Sequence, residues 1–166
     1  MKRLLAITLL ALTPLTLFGC SGESSDPDGD AKAQRESIQH TFGVALTIAQ
    51  EHASKVAGEG RWDLCGLETQ GVEYAASAKV TPADGKTPAE TVIDVANALS
   101  SKGWTLSKQK SQPPWAQLKQ DDLLLTVQVE KISPEFVTMS LRGECITGPD
   151  GWATKMPEDP EPIKAS

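Results

Sequence analysis

The hydrophobic period of the chain changes from helical to extended, and this change restricts the fold more than any other feature. The first part carries apolar residues at spacings of three and four, as one buried helical stripe requires: Ile38, Phe42, Ala45, Ala49, Ala53 and Val56. We expect Gly58 and Gly60 to end this helix and residues 62–65 to form a connector. From Val72 to Val80 every second residue is apolar, which predicts a half-buried strand.

A second helix is predicted with a clear beginning and end. Thr87 and Glu90 have the spacing of a capping box, and Pro88 suits the first helical position. Gly103 stops the helix after Lys102. The residues expected to be buried on it are Val92, Ile93, Ala96 and Leu99.

Alternation of apolar residues returns after this helix and predicts three or four further strands. They are expected at 104–106, 115–119, 123–129 and 137–141, with turns at 120–122 and 133–134. Cys145 continues the buried face of the last strand. The sequence therefore predicts an α+β fold, with two helices packed on one face of an antiparallel sheet of about four to five strands.

The N-terminus has the parts of an export signal. Lys2 and Arg3 precede an apolar run over 4–18, which stops at Gly19 and Cys20. This arrangement resembles the signal of bacterial lipoproteins. The resemblance implies that the Cys20 thiol receives a diacylglyceryl group, that the chain is cut before it, and that the protein stays tethered outside the cytoplasm. Two alternatives stay open: an ordinary secretory peptide, and a membrane span, for which this run falls short of the usual ~20 residues.

Differences in composition along the chain predict four segments. Residues 1–19 are assigned to the signal peptide, 20–30 to a flexible acidic linker, 31–148 to one α+β domain, and 149–166 to a disordered tail rich in proline and acidic residues. Removing residues 1–19 leaves 14 basic and 22 acidic residues, a net charge of −8. This charge argues against nucleic acid as a partner.

The number of cysteines bears on the compartment. There are three, and acylation of Cys20 would leave Cys65 and Cys145 as one pair. In an oxidising exterior two such cysteines are expected to form a disulfide, and a loop of this length is worth about 4.5 kcal/mol in the chain-entropy model. Two buried free thiols are the alternative. Neither cysteine has a second ligand at the short spacing of zinc sites, so no metal is assigned.

The sequence gives little indication of catalysis. His40 and His52 are the only histidines, and on one helix they would lie about 18 Å apart, too far to share a substrate or metal. No Gly-x-Ser-x-Gly motif is present, and Asp121 and Asp122 suit a hairpin turn better than an acid and base pair. No catalytic residue and no cofactor are therefore predicted.

The tryptophans are the candidates for recognition. Trp104 is expected in the core, and Trp62 is expected to pack on the disulfide. Trp115 follows a Pro-Pro step and Trp152 lies in a glycine-rich segment, so both are candidate recognition residues. An exposed tryptophan is a common anchor for a partner or ligand. The alternative for each is a tryptophan that covers the edge of a small core.

Several structural features together resemble a loose class of small secreted lipoproteins from Gram-positive actinobacteria. They are Cys20 in the signal, Cys65 before a strand, and a helix that ends at Gly103 and Trp104. A β meander that includes 123–129 follows, and Cys145 comes after the last strand. The resemblance implies a location and a fold, and members of this class largely lack an assigned activity.

These observations lead to one expected function. The chain is interpreted as a lipid-anchored module on the extracytoplasmic side of the cell membrane, which binds something or supports an envelope assembly without catalysis. Its expected partners are the membrane, through the anchor, and an envelope protein or small ligand. A cell-envelope hydrolase and a structural spacer are the alternatives.

Overall fold

An antiparallel sheet of eight strands carries two helices on one face in the computed structural model, which describes residues 25–66, 70–157 and 159–166. The elements in chain order are α1 (Pro27–Gln50), β1 (Ala53–Cys65), β2 (Gly71–Pro82), α2 (Pro88–Ser101), β3 (Thr105–Ser111), β4 (Pro114–Gln120), β5 (Leu123–Val129), β6 (Val137–Arg142), β7 (Ile146–Thr147) and β8 (Glu161–Ile163). The spatial order is β3-β4-β5-β6-β2-β1-β8, and β7 pairs with the start of β2. The α+β class is confirmed, but the sheet has more strands than the four to five expected.

The period-two segments form the strands that the sequence predicts. Alternate residues of β2, β5 and β6 point to the helices and are buried: Val72, Tyr74, Ala76, Ala78, Val80, Leu125, Val127, Val137, Met139 and Leu141. Asp121 lies in the β4–β5 turn with a φ of 51°, a conformation that aspartate tolerates better than most residues. The opposite face of the sheet carries the polar residues between these positions.

The predicted capping box of α2 is confirmed. Glu90 N donates to Thr87 Oγ1 at 3.2 Å, and Thr87 N donates to Glu90 Oε2 at 2.8 Å. The expected burial of Ile93 is wrong, because this side chain is 44% exposed. Val95 is buried instead, since the stripe facing the sheet follows 92, 95, 96 and 99.

The first helix lies further towards the N-terminus than predicted. Asp26 caps it by accepting from Gly29 N at 3.1 Å, and Pro27 occupies its first turn. Residues 27–30, expected to be linker, are therefore helical, whereas residues 20–24 lie outside the described residues. Ala53 and Val56, expected on the helix, belong to β1. Apolar spacings of three and four happen to continue across the turn after Gln50, which explains the error.

The expected helix exit at Gly58 and Gly60 is also wrong, because both residues lie within β1. They face the helices, and each is approached closely by another side chain. A Cβ on Gly58 would lie 2.5 Å from Leu46 Cδ1, and a Cβ on Gly60 would overlap the Tyr74 hydroxyl. Glycine within a strand often marks such a close approach.

The predicted disordered tail at 149–166 is instead packed on the domain in its described residues. Trp152 is buried beside Ala31 and Val72, a 3-10 turn spans Ala153–Lys155, and β8 pairs with the edge of β1. Ile163 is buried opposite Gly58. The prolines of this segment suggest disorder, but they are also compatible with a short edge strand. On such a strand alternate residues face away from the neighbouring strand, so a residue without an N–H loses no hydrogen bond there.

A disulfide joins Cys65, the last residue of β1, to Cys145 before β7. The predicted pairing is therefore present. The expected position of Cys145 on the buried face of β6 is wrong, because β6 ends at Arg142 and Cys145 is exposed. Neither helix within the described residues combines the length and apolar content that crossing a membrane requires.

Replacing both cysteines tests the contribution of this cross-link. We expect Cys65→Ser with Cys145→Ser to lower the free energy of unfolding by about 4 kcal/mol, because the unfolded chain regains the entropy of a loop spanning 80 residues. Urea unfolding followed by circular dichroism measures this change. The oxidised parent with and without reductant is the control, and a change below about 1 kcal/mol would contradict the expectation.

Candidate functional site

The face of the sheet opposite the helices carries an ordered row of side chains. Trp115 of β4 pairs with Lys110 of β3 and with Gln128 of β5, and the row continues to Thr138 of β6 and Lys79 of β2. Directly paired residues of antiparallel strands point to the same face. The neighbours Ala116 and Leu118 face the helices, so the row lies on the open face.

Trp115 stands in a shallow groove of about 230 Å³ at one end of this row. This Trp115 groove is lined by Lys110, Pro113, Pro114, Trp115, Gln128, Val129 and Lys131. The indole is half-buried, whereas both lysines are exposed. Within the described residues neither lysine forms a salt bridge. The groove thus offers an aromatic face, two ammonium groups and one amide.

A second groove, of about 570 Å³, lies on the same face beyond the β5–β6 loop at residues 130–136. Lys79 Nζ lies 3.4 Å from the centroid of the Phe136 ring, a cation–π contact. Ile132 lines this groove and is 92% exposed.

The β5–β6 loop is ordered by Glu130, which accepts from Thr138 Oγ1 at 2.6 Å and from Lys131 N at 2.9 Å. These hydrogen bonds, that from Thr138 above all, lower the pKa of Glu130.

A polar cluster lies on the helix face, between α1 and β8. Glu161 Oε1 accepts from Arg35 Nε and from the Tyr74 hydroxyl, both at 2.6 Å, and Arg35 Nη2 donates to Glu161 Oε2. Gln39 Nε2 donates to the Tyr74 hydroxyl at 2.9 Å. The hydroxyl occupies the space left by Gly60. We call Arg35, Gln39, Tyr74 and Glu161 the α1–β8 clamp.

The electrostatics of the clamp suit a structural role. The hydrogen bond from Arg35 is the main cause that lowers the pKa of Glu161, and the same pairing raises the pKa of Arg35. Burial, followed by the hydrogen bond to Glu161, raises the pKa of Tyr74 to about 12. None of the three shifts moves a pKa towards neutrality, where a general acid or base works best. The clamp also borders a cleft of about 450 Å³ that contains Trp62.

The structure separates the tryptophans that the sequence singled out. Trp104 is buried, as predicted, and Trp62 packs edge-on against Tyr74 with ring centroids 5.1 Å apart. Trp152 is only 4% exposed, and its Nε1 donates to Asp28 Oδ1 at 2.8 Å. Recognition by Trp152 is therefore not retained, because its ring and its N–H are both used within the domain. Trp115 keeps a partly exposed ring.

The other candidate residues do not come together. His40 lies on α1, whereas His52 follows it, so the two do not share one helix as expected. Among the described residues no group of three or more His, Cys, Asp or Glu side chains is arranged to hold a metal. Sequence reasoning missed Lys131, whose role beside Trp115 depends on the β5–β6 loop, and it missed Gln128, although a cross-strand pairing could have indicated it.

No family model matches the chain, and a search among curated proteins gave no match. Among solved structures, the chain is similar to that of LppA from Mycobacterium tuberculosis, a proposed lipoprotein, with a TM-score of 0.40 and 11% sequence identity. The alignment covers 77% of this chain and 83% of that chain. A likeness of this strength carries no argument about function.

Acid titration tests the α1–β8 clamp. Because the folded-state pKa of Glu161 is lowered, its stabilisation is fully present above its ordinary pKa near 4.5 and is lost as the pH falls through the lowered value. We expect Glu161→Gln to reduce stability by about 1–2 kcal/mol at pH 7 and to flatten the loss of stability as the pH falls below about 4.5. Urea unfolding at each pH measures this, and parallel curves for variant and parent would contradict it.

Proposed function

We propose that this protein is a lipid-anchored module on the extracytoplasmic side of the cell membrane, and that it binds an envelope component through the Trp115 groove without catalysis. One observation carries the proposal: a half-buried indole stands between two exposed lysines on the open face of the sheet, and neither lysine has an ionic partner within the described residues. Aromatic side chains with polar neighbours are typical anchors of binding surfaces.

The position of the groove suits a tethered module. Pro27, the first residue of α1, is seven residues from Cys20, so the chain between them spans at most about 25 Å when extended. The start of α1 packs beside the start of β2, through Ala31 and Val72. The Trp115 row crosses β2 at Lys79, eight residues from Gly71, or about 26 Å further along the strand. The start of α1, from which the proposed tether extends, and the groove therefore lie at opposite ends of the sheet.

The chemistry of the two open-face grooves supports binding rather than hydrolysis. No histidine or cysteine is among the described residues that line either groove. A serine nucleophile needs a base within hydrogen-bond reach, and histidine is the usual one. The lining of the Trp115 groove instead supplies contact area and positive charge.

Labelling tests the anchor. We expect Cys20→Ala to abolish incorporation of an alkyne-tagged fatty acid and to release the chain from the membrane fraction, because the thiol is the proposed acylation site. In-gel fluorescence after coupling of the tag measures incorporation. Cys65→Ser is the matched control and should remain labelled. Persistent labelling of the Cys20 variant would disprove lipidation at this residue.

Photo-crosslinking in cells tests the groove. A benzophenone amino acid at Lys108, an exposed residue of β3 on the same face as Lys110, should form adducts with whatever occupies the Trp115 groove. We expect Trp115→Ala to reduce the adducts at least tenfold. Leu124→Ala is the matched control, because Leu124 is an exposed apolar residue on the same face, at the opposite end of β5 from the groove.

Denaturing gels stained for protein and for carbohydrate detect adducts with a protein and adducts with a saccharide. Adducts that persist in Trp115→Ala would contradict binding through this groove. Absence of adducts from the parent chain would contradict the binding module and favour a structural spacer.

A further inference from the structure

We infer that the Trp115 groove binds an anionic saccharide, a chain of sugar rings that carry carboxylate groups. The inference rests on the proposed function and specifies the ligand of the same site. Three properties of the open face carry it: unpaired positive charge in an acidic protein, a flat aromatic surface, and a field of hydroxyl and amide groups beside it.

The charge of the groove opposes that of the protein. Without residues 1–19 the chain has a net charge of −8, yet Lys110 and Lys131 line the groove and no Asp or Glu is among its described lining residues. The adjacent Glu130 lines the other groove and is bonded to Thr138 and to backbone N–H groups. The groove therefore attracts anions at contact range, since salt screens the field of acidic residues that lie more than about 8–10 Å away.

Edge protection explains only part of this charge. Lysines on an exposed edge strand prevent pairing with another sheet, and this accounts for Lys108 and Lys110 on β3. It does not account for Lys131, which lies in the β5–β6 loop and reaches the groove from the other side of Trp115. Two cations from separate elements that line one groove with an indole point to an anion as the ligand.

The aromatic surface suits a sugar ring. Pro113 and Pro114 precede Trp115 and add apolar surface to the same groove, and Gln128 pairs with Trp115 directly. The negative face of an indole attracts the polarised C–H groups on one face of a sugar ring, as it attracts other positive edges. The Gln128 amide both donates and accepts, which matches hydroxyl groups.

The rest of the open face continues this chemistry towards the centre of the sheet. Half-exposed hydroxyl and amide side chains lie in neighbouring register positions: Gln117, Thr126, Thr138, Ser140 and Ser77. Each sugar ring carries several hydroxyl groups, and each hydroxyl can both donate to and accept from such side chains. From β3 to β2 the row crosses four interstrand gaps, about 19 Å, which suits an extended oligosaccharide.

The separate positions of the positive groups suit carboxylates that are spaced along a saccharide. Lysine also binds phosphate, so competition by polyphosphate tests the choice of carboxylate. The Trp115 groove has two separate lysines, each a single point charge. Its volume of about 230 Å³ is below that of most closed ligand pockets, so we expect weak binding to each sugar and a gain with chain length.

Binding to defined oligosaccharides tests the inference. The full-length chain in detergent is titrated with a hexamer of galacturonate, and tryptophan fluorescence and calorimetry follow binding. We expect saturable binding that weakens with added salt. Trp115→Ala should weaken it at least tenfold, and Lys110→Gln and Lys131→Gln at least threefold each. Lys102→Gln, an exposed lysine at the end of α2, and Leu124→Ala should leave it unchanged.

Three further probes decide which part of the inference holds. Maltohexaose, a neutral hexamer, should bind at least tenfold more weakly, and equal binding would overturn the requirement for charge. Inorganic polyphosphate should not compete with galacturonate. If polyphosphate binds, and binds equally well to the Trp115→Ala variant, the surface is purely ionic. An acidic proline-containing peptide that binds where saccharides fail would replace the saccharide with a protein partner.

The outcomes also separate this inference from the proposed function. If galacturonate fails to bind while the crosslinker at position 108 still forms adducts that depend on Trp115, the ligand class is wrong and the binding module stands. If both fail, the proposed function fails as well. Circular dichroism and Tm check each variant, and the exposed lysine variants keep the test decisive if Trp115→Ala does not fold.

Discussion

The close approach of Tyr74 to Gly60 is the contact on which the arrangement of the domain depends. Because position 60 has no Cβ, the Tyr74 hydroxyl lies over β1 and meets Glu161 of β8, while Gln39 and Arg35 of α1 bond to the same pair. One tyrosine therefore links α1, β1, β2 and β8. A larger residue at 60 would displace the hydroxyl and leave polar groups at this contact without their partners, which is costly when they are buried.

The two faces of the sheet differ in their packing. The helix face holds the main core, in which residues from both helices pack on alternate residues of the strands. The open face is free of this requirement, so most of its side chains are polar, and Trp115 and Phe136 lie outside the main core. The end of the sheet beside the start of α1 is stabilised by the disulfide and by the Trp152 cluster, and the far end carries the grooves.

Local patterns predicted the parts of the fold that local physics determines. The capping box at Thr87 and the alternation in β2, β5 and β6 are confirmed because burial on one face forces those periods. β1 was missed, since its helix-facing positions at 58 and 60 are glycines that only a distant tyrosine and leucine explain. Trp115 could be singled out from the sequence, but Lys131 reaches it through a loop whose path depends on Glu130. Trp152 was misjudged because its partner, Asp28, lies 124 residues away.

The exposed disulfide makes the stability of this domain depend on where the chain is. A loop-closing cross-link worth about 4.5 kcal/mol is a large share of the 5–15 kcal/mol that stabilises a typical domain. A chain held in a reducing compartment would lack this share, spend more time unfolded and be exposed to proteases. The Cys65–Cys145 bond would then favour chains in an oxidising space, since only these gain the cross-link and the longer lifetime that it brings.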